Sequence, residues 1–411
     1  MNLELKIDRA IISSCAIAFV FGYKQLGNVI GVIVTSLLGP NSIDTAIQIL
    51  LTLFCTGYVL LRVGRRSFIR NWCFVIILLC LFLITKFCFP QNYKYLSEDL
   101  IAIAFSVLGF LIVSSVQNIA YINSGLKILA YIDLFYAVAI GFNIAGIIHL
   151  EGFSTSYMEY GYNVLPAAVI FTYLYEKFAY RKYLVMAIIS AFFILIFGSR
   201  GALLFYFVYI IVYNFFIKGI LNKKFIGILL GATVMVLASR NLYFVEFVSS
   251  MLFKVFGISS RSLMKLLDGT ITNNSGRDLL YEPALKLIRE NWMFGTGVYS
   301  DRALIYMASD DINSVGYGHY VHNFFLELMM NFGIPIAIIL IICYVYTSFR
   351  ILKHASDESR WCYIIFNSLW FFKSLTSGSY WTIAFFWGSV ALLYVLRWEQ
   401  QSGANNKFDN I

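Results

Sequence analysis

Long apolar runs recur along almost the whole of this chain, and they leave few folds open to it. A helix needs about 20 residues to cross the hydrocarbon core of a bilayer, and runs this evenly apolar suit helices rather than the alternating strands of a membrane barrel. This length rule predicts about twelve spans. They cover residues 10–38, 44–61, 71–89, 99–118, 126–148, 162–177, 182–198, 201–217, 224–239, 321–348, 361–376 and 380–397.

The composition supports the same interpretation. Hydrophobic residues make up 60% of the 411 residues and charged residues 13%, whereas a soluble domain has about 45–50% and about 25%. No soluble fold of this length could bury so much apolar surface, so the sequence predicts an all-α polytopic membrane protein. The first run contains Lys24 and is expected to be one long or broken span. It lacks a small-residue cleavage site, so we expect it to stay in the protein.

Basic residues in the short loops predict the orientation. Those that fall on one side are Lys6, Arg9, Arg62, Arg65, Arg66, Arg70, Lys177, Arg181, Lys182, Lys218, Lys223, Lys224, Arg350, Lys353 and Arg360. The opposite loops, 39–43, 90–98 and 149–161, hold one lysine, Lys94, and no arginine. Since the cytoplasmic side carries the positive excess, both termini are expected to be cytoplasmic. The net charge of +9 reflects this bias rather than nucleic-acid binding.

One long polar segment, 240–320, interrupts the spans on the external side. It carries eight basic and eight acidic residues, and long loops cross the membrane whatever their charge. Its leucine and aromatic content favours order: a helix capped near Asn274 or Ser275, then a break at Gly295 and Gly297. The predicted domains are nine helices in 1–239, one large external loop with short helices in 240–320, three helices in 321–397, and a cytoplasmic tail in 398–411.

The seven cysteines all lie in or beside apolar runs, at Cys15, Cys55, Cys73, Cys80, Cys88, Cys343 and Cys362. None falls in the long loop, which argues against a disulfide framework there, and the spacing is not that of a zinc site. We therefore predict neither a metal site nor a cofactor.

Arg200 lies between two apolar runs, at the external end of the span predicted over 182–198, with Gly198 and Gly201 on either side. An arginine at membrane depth is costly and usually faces a cavity or a partner. A snorkelling arginine at a helix hairpin is the structural alternative. The positive-inside bias disfavours an incidental arginine on the external side, so Arg200 is a candidate site residue.

Arg277 follows a Ser-Gly pair at the predicted start of the loop helix. A helix N-terminus combined with a guanidinium suits an anion, above all a phosphate. The alternative is a solvated arginine paired with Asp278 or Glu282. Arg302, later in the same loop, is a further candidate for substrate binding.

Two of the four histidines, His319 and His322, stand three residues apart where the loop meets the span predicted over 321–348. Histidine is the side chain most easily poised as a base near neutral pH. The alternatives are that His322 caps or anchors the helix, or that it binds a metal, for which no third ligand is close in sequence. Asn323 beside it is a candidate for substrate binding, as is His319.

Three ionisable residues within apolar runs are lesser candidates. Asp133 lies near the cytoplasmic end of the span predicted over 126–148, where it can bond across helices. Lys373 lies nearer the external end of its span and is a candidate for substrate binding. Glu327 stands one turn into its span, where it can orient a neighbour or face a water-filled cleft.

The main candidates share a location. Arg200, Arg277 and His322 are all predicted at the external membrane surface, beside a partly folded loop. Two arginines suit a diphosphate and stabilise the charge of a leaving group. A histidine can take a proton from an attacking hydroxyl. The combination predicts a site for a lipid-linked diphosphate whose tail lies among the helices.

Four short motifs stand in a fixed order in the second half of the chain. They are an Arg-x-x-x-Leu at Arg200–Leu204, a Ser-Gly-Arg at 275–277, a Gly-x-Gly at 295–297, and His322 and Asn323 followed by nine residues and Gly333. In this order and context the chain resembles the bacterial O-antigen polymerase and O-antigen ligase superfamily, over roughly residues 197–336. Ile336 departs from the family's fuller motif, which has Gly, Thr or Tyr at that position.

The resemblance implies a GT-C-like, metal-independent glycosyltransferase of the bacterial inner membrane that inverts the anomeric centre. Its donor would be an oligosaccharide on undecaprenyl diphosphate. Arg200 and Arg277 would bind the diphosphate, and His322 would be the base or an organiser of the catalytic site. A chain-length regulator and a flippase in the same membrane are possible partners.

Polymerase and ligase share these motifs and differ in acceptor, which is a second lipid-linked repeat unit for the polymerase and lipid A–core for the ligase. The form GSRGALL, with SGRDLLYEPALKLI and a following GTG, resembles polymerases more closely. A flippase for lipid-linked sugars is the non-enzymatic alternative, although few charges lie within the predicted spans. A scaffold protein is the remaining alternative.

Overall fold

The computed structural model describes residues 9–38, 50, 54–55, 57–58, 65–116, 118–144, 157–197, 200–215, 246–247, 250–251, 254, 278–309 and 319–408. All regular structure within these ranges is helical, as predicted. The helices of eight or more residues are α1 (Arg9–Phe21), α2 (Tyr23–Leu38), α3 (Arg65–Cys88), α4 (Pro90–Glu98), α5 (Leu100–Ser115), α6 (Ile119–Ile144), α7 (Tyr157–Phe178), α8 (Arg181–Phe197), α9 (Arg200–Tyr213), α10 (Asp278–Glu290), α11 (Ser300–Ala308), α12 (Phe324–Phe332), α13 (Ile334–His354), α14 (Asp357–Thr376) and α15 (Ala384–Phe408), with a 3-10 turn at Tyr380–Thr382.

Within the described ranges, three helices are long and apolar enough to cross a membrane, namely Ile69–Cys88, Ile119–Asn143 and Ile334–His354. Two bent pairs of helices raise this to as many as five spans if each pair counts as one. The apolar run 224–239 lies outside the described residues, as does most of 44–61. The described part of the chain therefore confirms a helical protein with three to five candidate membrane spans, and the predicted total of about twelve stays a prediction.

The chain divides into two compact units. The first unit consists of Met1–Leu53 and Asn123–Asn273, and it contains α1, α2, most of α6, and α7 to α9. The first apolar run, predicted as one long or broken span, is bent: α1 and α2 meet at an angle of 81° at Gly22, two residues before Lys24. Lys24, just after the bend, forms an exposed ion pair with Glu159 on α7, at 3.7 Å.

The second unit consists of Phe54–Ile122 and Asn274–Ile411, and it contains α3 to α5 and α10 to α15. Residues 90–98, predicted as a loop, form the short helix α4. Pro90 suits the first position of a helix, because its missing N–H would have no helical partner there. The Asn92 side chain in α4 donates a hydrogen bond to the Thr296 carbonyl at 2.9 Å, so α4 is tied to the Gly-x-Gly motif.

One predicted span, 321–348, is wrong as a continuous helix. The chain forms α12 and α13 instead, with a break at Gly333, where φ is +79° and ψ is 165°. Only glycine adopts this conformation readily. The break was not predicted because the apolar run continues through it, and hydropathy does not report backbone conformation. The span candidate therefore begins at Ile334, and α12 lies outside it.

The break is where two of the sequence motifs meet. The Ile334 N–H donates to the Trp292 carbonyl at 2.7 Å, and the Thr296 N–H donates to the Met330 carbonyl at 2.7 Å. A Cβ added at Gly333 would lie 2.4 Å from the Met293 carbonyl oxygen, and one added at Gly295 would lie 2.5 Å from that of Met330. Glycine is therefore required on both sides of this contact, and the Gly-x-Gly and His-Asn-(nine residues)-Gly motifs form one packed block.

The substitution Gly333→Ala is expected to lower the thermal stability of the purified protein. The backbone conformation alone costs about 1–3 kcal/mol for a residue with a side chain, and the overlap with residue 293 adds to this. The measurement is the apparent Tm in detergent, followed by size-exclusion chromatography. The control is Gly57→Ala, since a Cβ there meets open space in the described structure. Equal Tm values for the two variants would contradict the account of the break.

Candidate functional site

A buried guanidinium, that of Arg302, lies at the centre of the second unit. We call it and its three acidic partners, Asp99, Asp301 and Glu327, the Arg302 cluster. Arg302 is on α11 and only 5% exposed. Its Nη1 lies 3.0 Å from Asp301 Oδ1 and 3.6 Å from Glu327 Oε1, and its Nε lies 3.6 Å from Asp99 Oδ2. Removing these charges from water is costly, so the pairing is what makes their burial possible.

Aromatic rings complete the enclosure of this guanidinium. The Arg302 Cζ lies 3.9 Å from the ring centre of Tyr299 and 5.2 Å from that of Tyr320. Cation–π contacts of this kind stabilise a cation more strongly when water is excluded. The Tyr299 hydroxyl also donates to Asp99 Oδ2 at 3.1 Å. The guanidinium is therefore already enclosed and paired within the protein, unlike the arginine of an open anion site.

The carboxylates outnumber the cation, and this governs their protonation. Burial and the neighbouring Asp301 carboxylate raise the pKa of Glu327 to about 8, even though Arg302 and a hydrogen bond from the Ser379 hydroxyl favour the charged form. The same carboxylates more than offset the effect of burial on Arg302 and hold the pKa of its guanidinium above its usual value. Arg302 is thus a permanent cation, and Glu327 is the group whose charge depends on pH.

The Arg302 cluster holds the segment that carries His322, which we call the His-Asn turn (residues 320–323). Asp301 Oδ2 accepts a hydrogen bond from the Val321 N–H at 3.2 Å. Thus one carboxylate connects Arg302 to the residue directly before His322. The Tyr320 ring, which packs over Arg302, also lies against the His322 ring, with centroids 4.1 Å apart. Its hydroxyl donates to the Ser377 carbonyl at 2.7 Å.

The far side of the His-Asn turn is fixed by a helix cap. The Asn323 side chain accepts hydrogen bonds from the N–H groups of Phe325 and Leu326, at 3.0 and 3.3 Å. Such a cap satisfies N–H groups that have no partner within the helix. One turn later, the Glu327 carboxylate lies 3.6 Å from Arg302 Nη1. The cluster therefore contacts the chain both before and after His322.

Backbone strain is concentrated here. Among the described residues, the non-glycine positions with positive φ are Ala179, Tyr299 and His322. Two of them, Tyr299 at +64° and His322 at +52°, belong to the surroundings of Arg302. A left-handed conformation costs a residue with a side chain about 1–2 kcal/mol. Strain of this kind persists only where the surrounding contacts hold it, and it clusters at functional sites.

The remaining predicted residues lie in different places. Arg200 is the first residue of α9 in the first unit, and its side chain lies outside the described part. Arg277 also lies outside the described residues, one position before α10. Lys373 is half-buried in the last turn of α14, just before Ser377. The structure therefore does not describe the predicted pairing of the two arginines with His322.

Three other candidates can be placed from the described structure. His319 is exposed and precedes the His-Asn turn. Arg302, predicted to bind substrate, is buried and paired with carboxylates of its own chain. Asp133 is fully buried in α6 of the first unit, but neither carboxylate oxygen has a hydrogen-bond partner among the described residues, so the predicted bond across helices is not seen there.

Sequence reasoning missed Asp301, Tyr299 and Ser379 as parts of this site. Asp301 and Arg302 are adjacent in the first turn of a short helix after Gly297. An acidic and a basic residue side by side at that place are a signal of a local ion pair. The loop contains eight acidic residues, however, and nothing in the sequence singles out Asp301, which is buried. The pairing of Glu327 with Arg302 spans 25 positions and arises only from the packing of α12 on α11.

An all-helical fold with apolar helices of membrane-spanning length defines an α-helical membrane protein. Residues 185–341 match the family model described as O-antigen ligase. This match confirms the family that the motifs predicted: over these residues the chain carries the domain of the O-antigen polymerase and ligase superfamily. The match includes α9 and α10 to α12, and so the whole His-Asn turn. Searches of curated proteins and of solved structures returned no significant match.

Replacing the central cation tests how far the fold depends on it. Arg302→Gln leaves buried carboxylates without their counter-charge, and breaking a buried ion pair in this way typically costs about 3–5 kcal/mol. The matched control is Arg360→Gln, because Arg360 pairs with the exposed Asp357 and exposed pairs contribute about 0–1 kcal/mol. Apparent Tm in detergent measures both. A Tm for Arg302→Gln no lower than that of the control would contradict the central role of the cluster.

The raised pKa of Glu327 predicts a pH-dependent stability. The folded state retains a proton that the unfolded chain releases above about pH 4.3. The stabilisation from this proton is therefore full at acidic pH and is lost as pH rises to about 8. Glu327→Gln should remove this loss, so its Tm should fall less than that of the wild type between pH 5 and pH 8. The exposed Glu290→Gln variant should keep the wild-type slope, and an identical slope in Glu327→Gln would contradict the assignment.

Proposed function

We propose that this protein is an O-antigen polymerase, a glycosyltransferase that moves a growing glycan from undecaprenyl diphosphate to another lipid-linked repeat unit. The observation that carries the proposal is the position of His322 and Asn323. They lie within the residues that match the O-antigen ligase family model, on a strained turn held by the Arg302 cluster. A base in glycosyl transfer must be held at a fixed distance from the attacking hydroxyl, and a rigid turn suits this role.

The proposed reaction uses the candidate residues as follows. His322 takes the proton of the acceptor hydroxyl as its oxygen attacks the anomeric carbon of the donor. The bond between that carbon and the phosphate oxygen breaks, and the undecaprenyl diphosphate leaves with the electron pair. Arg200 and Arg277 stabilise the negative charge that develops on the diphosphate. Attack from the face opposite the leaving group inverts the anomeric centre, and the arginines replace a metal ion.

The wider setting belongs to the same proposal. The protein would lie in the bacterial inner membrane with about twelve spans of a GT-C-like arrangement and both termini in the cytoplasm. The site would face the periplasm, beside the loop 240–320. Partners would be undecaprenyl-diphosphate-linked oligosaccharide, a chain-length regulator and a flippase. Asn323, His319 and Lys373 would contribute to substrate binding, whereas the buried pairing of Arg302 favours a supporting role for that residue.

O-antigen ligase is the second candidate, because the matched family model carries that description. The chemistry at the donor is the same, and only the acceptor differs. The form of the arginine motifs, GSRGALL and SGRDLLYEPALKLI, supports the polymerase. A flippase would require cationic side chains along a path through the membrane. The basic residues singled out here instead belong to one predicted face.

The two histidines are expected to differ when replaced singly. His322→Ala should reduce glycan elongation by about 100-fold or more, which is the usual contribution of a general base. His319→Ala should reduce it several-fold at most. The measurement is elongation of lipid-linked repeat units by protein in liposomes, and expression matched by immunoblot is the control. Loss of elongation with His319→Ala but not with His322→Ala would mean that His319, rather than His322, is the base.

Deletion of the protein from a strain that makes O-antigen tests the proposal as a whole. Gel analysis of surface lipopolysaccharide should show lipid A–core that carries a single repeat unit. Loss of all O-antigen with polymer accumulating on the lipid carrier would identify a ligase instead. Repeat units trapped on the cytoplasmic side would identify a flippase, and an unchanged pattern would contradict all three assignments.

A further inference from the structure

An exposed apolar turn follows α10, at residues 292–294. Trp292, Met293 and Phe294 are 50%, 45% and 77% exposed. Three consecutive large apolar side chains in water are unfavourable, and such a patch usually marks an interaction surface. The opposite side of α10 is part of a core: Leu280, Ala284 and Ile288 are buried. We call residues 292–294 the apolar turn.

The position of the apolar turn indicates what covers it. The Trp292 carbonyl accepts a hydrogen bond from the N–H of Ile334, the first residue of the membrane-spanning helix α13. The first turns of α13 are apolar and exposed at Ile336, Ile338 and Ile339, as is expected of a surface that faces lipid. The apolar turn thus adjoins the end of a span, at the level where the hydrocarbon core meets the headgroups.

The composition of the apolar turn suits this level. Tryptophan is enriched at membrane interfaces because its ring is apolar and its N–H is polar. Leu279 and Leu285, on the adjoining helix α10, are also exposed. Most of the other exposed side chains of α10 are charged, namely Glu282, Lys286, Arg289 and Glu290, which suits contact with water and headgroups rather than the hydrocarbon core.

We propose that the apolar turn is a membrane anchor: it inserts into the lipid interface of the bilayer that α13 crosses. Because Trp292 and Thr296 are hydrogen-bonded to the residues around Gly333, the anchor is rigidly joined to α12. It therefore sets the depth of the His-Asn turn relative to the headgroups. That consequence rests on the proposed function, whereas the anchoring itself rests only on the membrane assignment of α13.

The test is tryptophan fluorescence of the full-length protein in nanodiscs of phosphatidylethanolamine and phosphatidylglycerol, with and without acyl chains brominated near the glycerol. The difference between wild-type and Trp292→Phe spectra isolates the emission of Trp292. Brominated lipid should reduce this emission about twofold or more, as expected of an interfacial ring. Aqueous iodide should affect it little. Phe294→Trp adds a second reporter, whose extra emission should respond in the same way.

Two native tryptophans provide matched controls. Trp72, exposed on the membrane-spanning part of α3, should be quenched by brominated lipid, and the buried Trp370 should be quenched by neither agent. Quenching of Trp292 by iodide, or protection from both agents as for Trp370, would overturn the proposal, and the latter result would mean that protein covers the turn. The readout needs no glycan transfer, so failure of the proposed function would leave this result intact, and the reverse also holds.

Discussion

The buried ion pair between Arg302 and Asp301 is the interaction on which the second unit depends. A guanidinium out of water is tolerated only when carboxylates and ring faces replace its hydration. Here the partners come from α11, α12 and the junction of α4 with α5, and the rings come from Tyr299 and Tyr320. Removing the cation would leave carboxylates buried without compensation, so these segments are constrained to one arrangement around it.

The Arg302 cluster constrains His322, the candidate base, through contacts with residues close to it in the chain. Asp301 contacts Arg302 with one oxygen and the backbone before His322 with the other. Glu327 anchors the helix that Asn323 caps. A histidine in a left-handed conformation would relax if its flanking residues were free to move. The network therefore explains how the His-Asn turn, between the long loop and α12, keeps a strained backbone conformation.

The sequence predicted the helices well and their interruptions less well. Apolar runs define helices by length and composition, and the first run, predicted as one long or broken span because of its lysine, bends at Gly22. The break at Gly333 was missed because Ile334 and its neighbours continue the apolar pattern, although the motif had already singled out that glycine. His322 and Asn323 were predicted as site residues because a family motif contains them. The role of Asp301 was not predictable, since it depends on a tertiary contact that produces no periodic pattern in the sequence.

Hydrogen–deuterium exchange shows directly whether the Arg302 cluster holds the His-Asn turn in place. Peptides that cover residues 319–327 should exchange slowly in the wild-type protein and much faster in Arg302→Gln, while peptides from α8 in the first unit keep their wild-type rates. Such a local increase is expected because the backbone N–H of Val321 loses its fixed acceptor. Unchanged exchange over 319–327 in a folded Arg302→Gln protein would contradict the account.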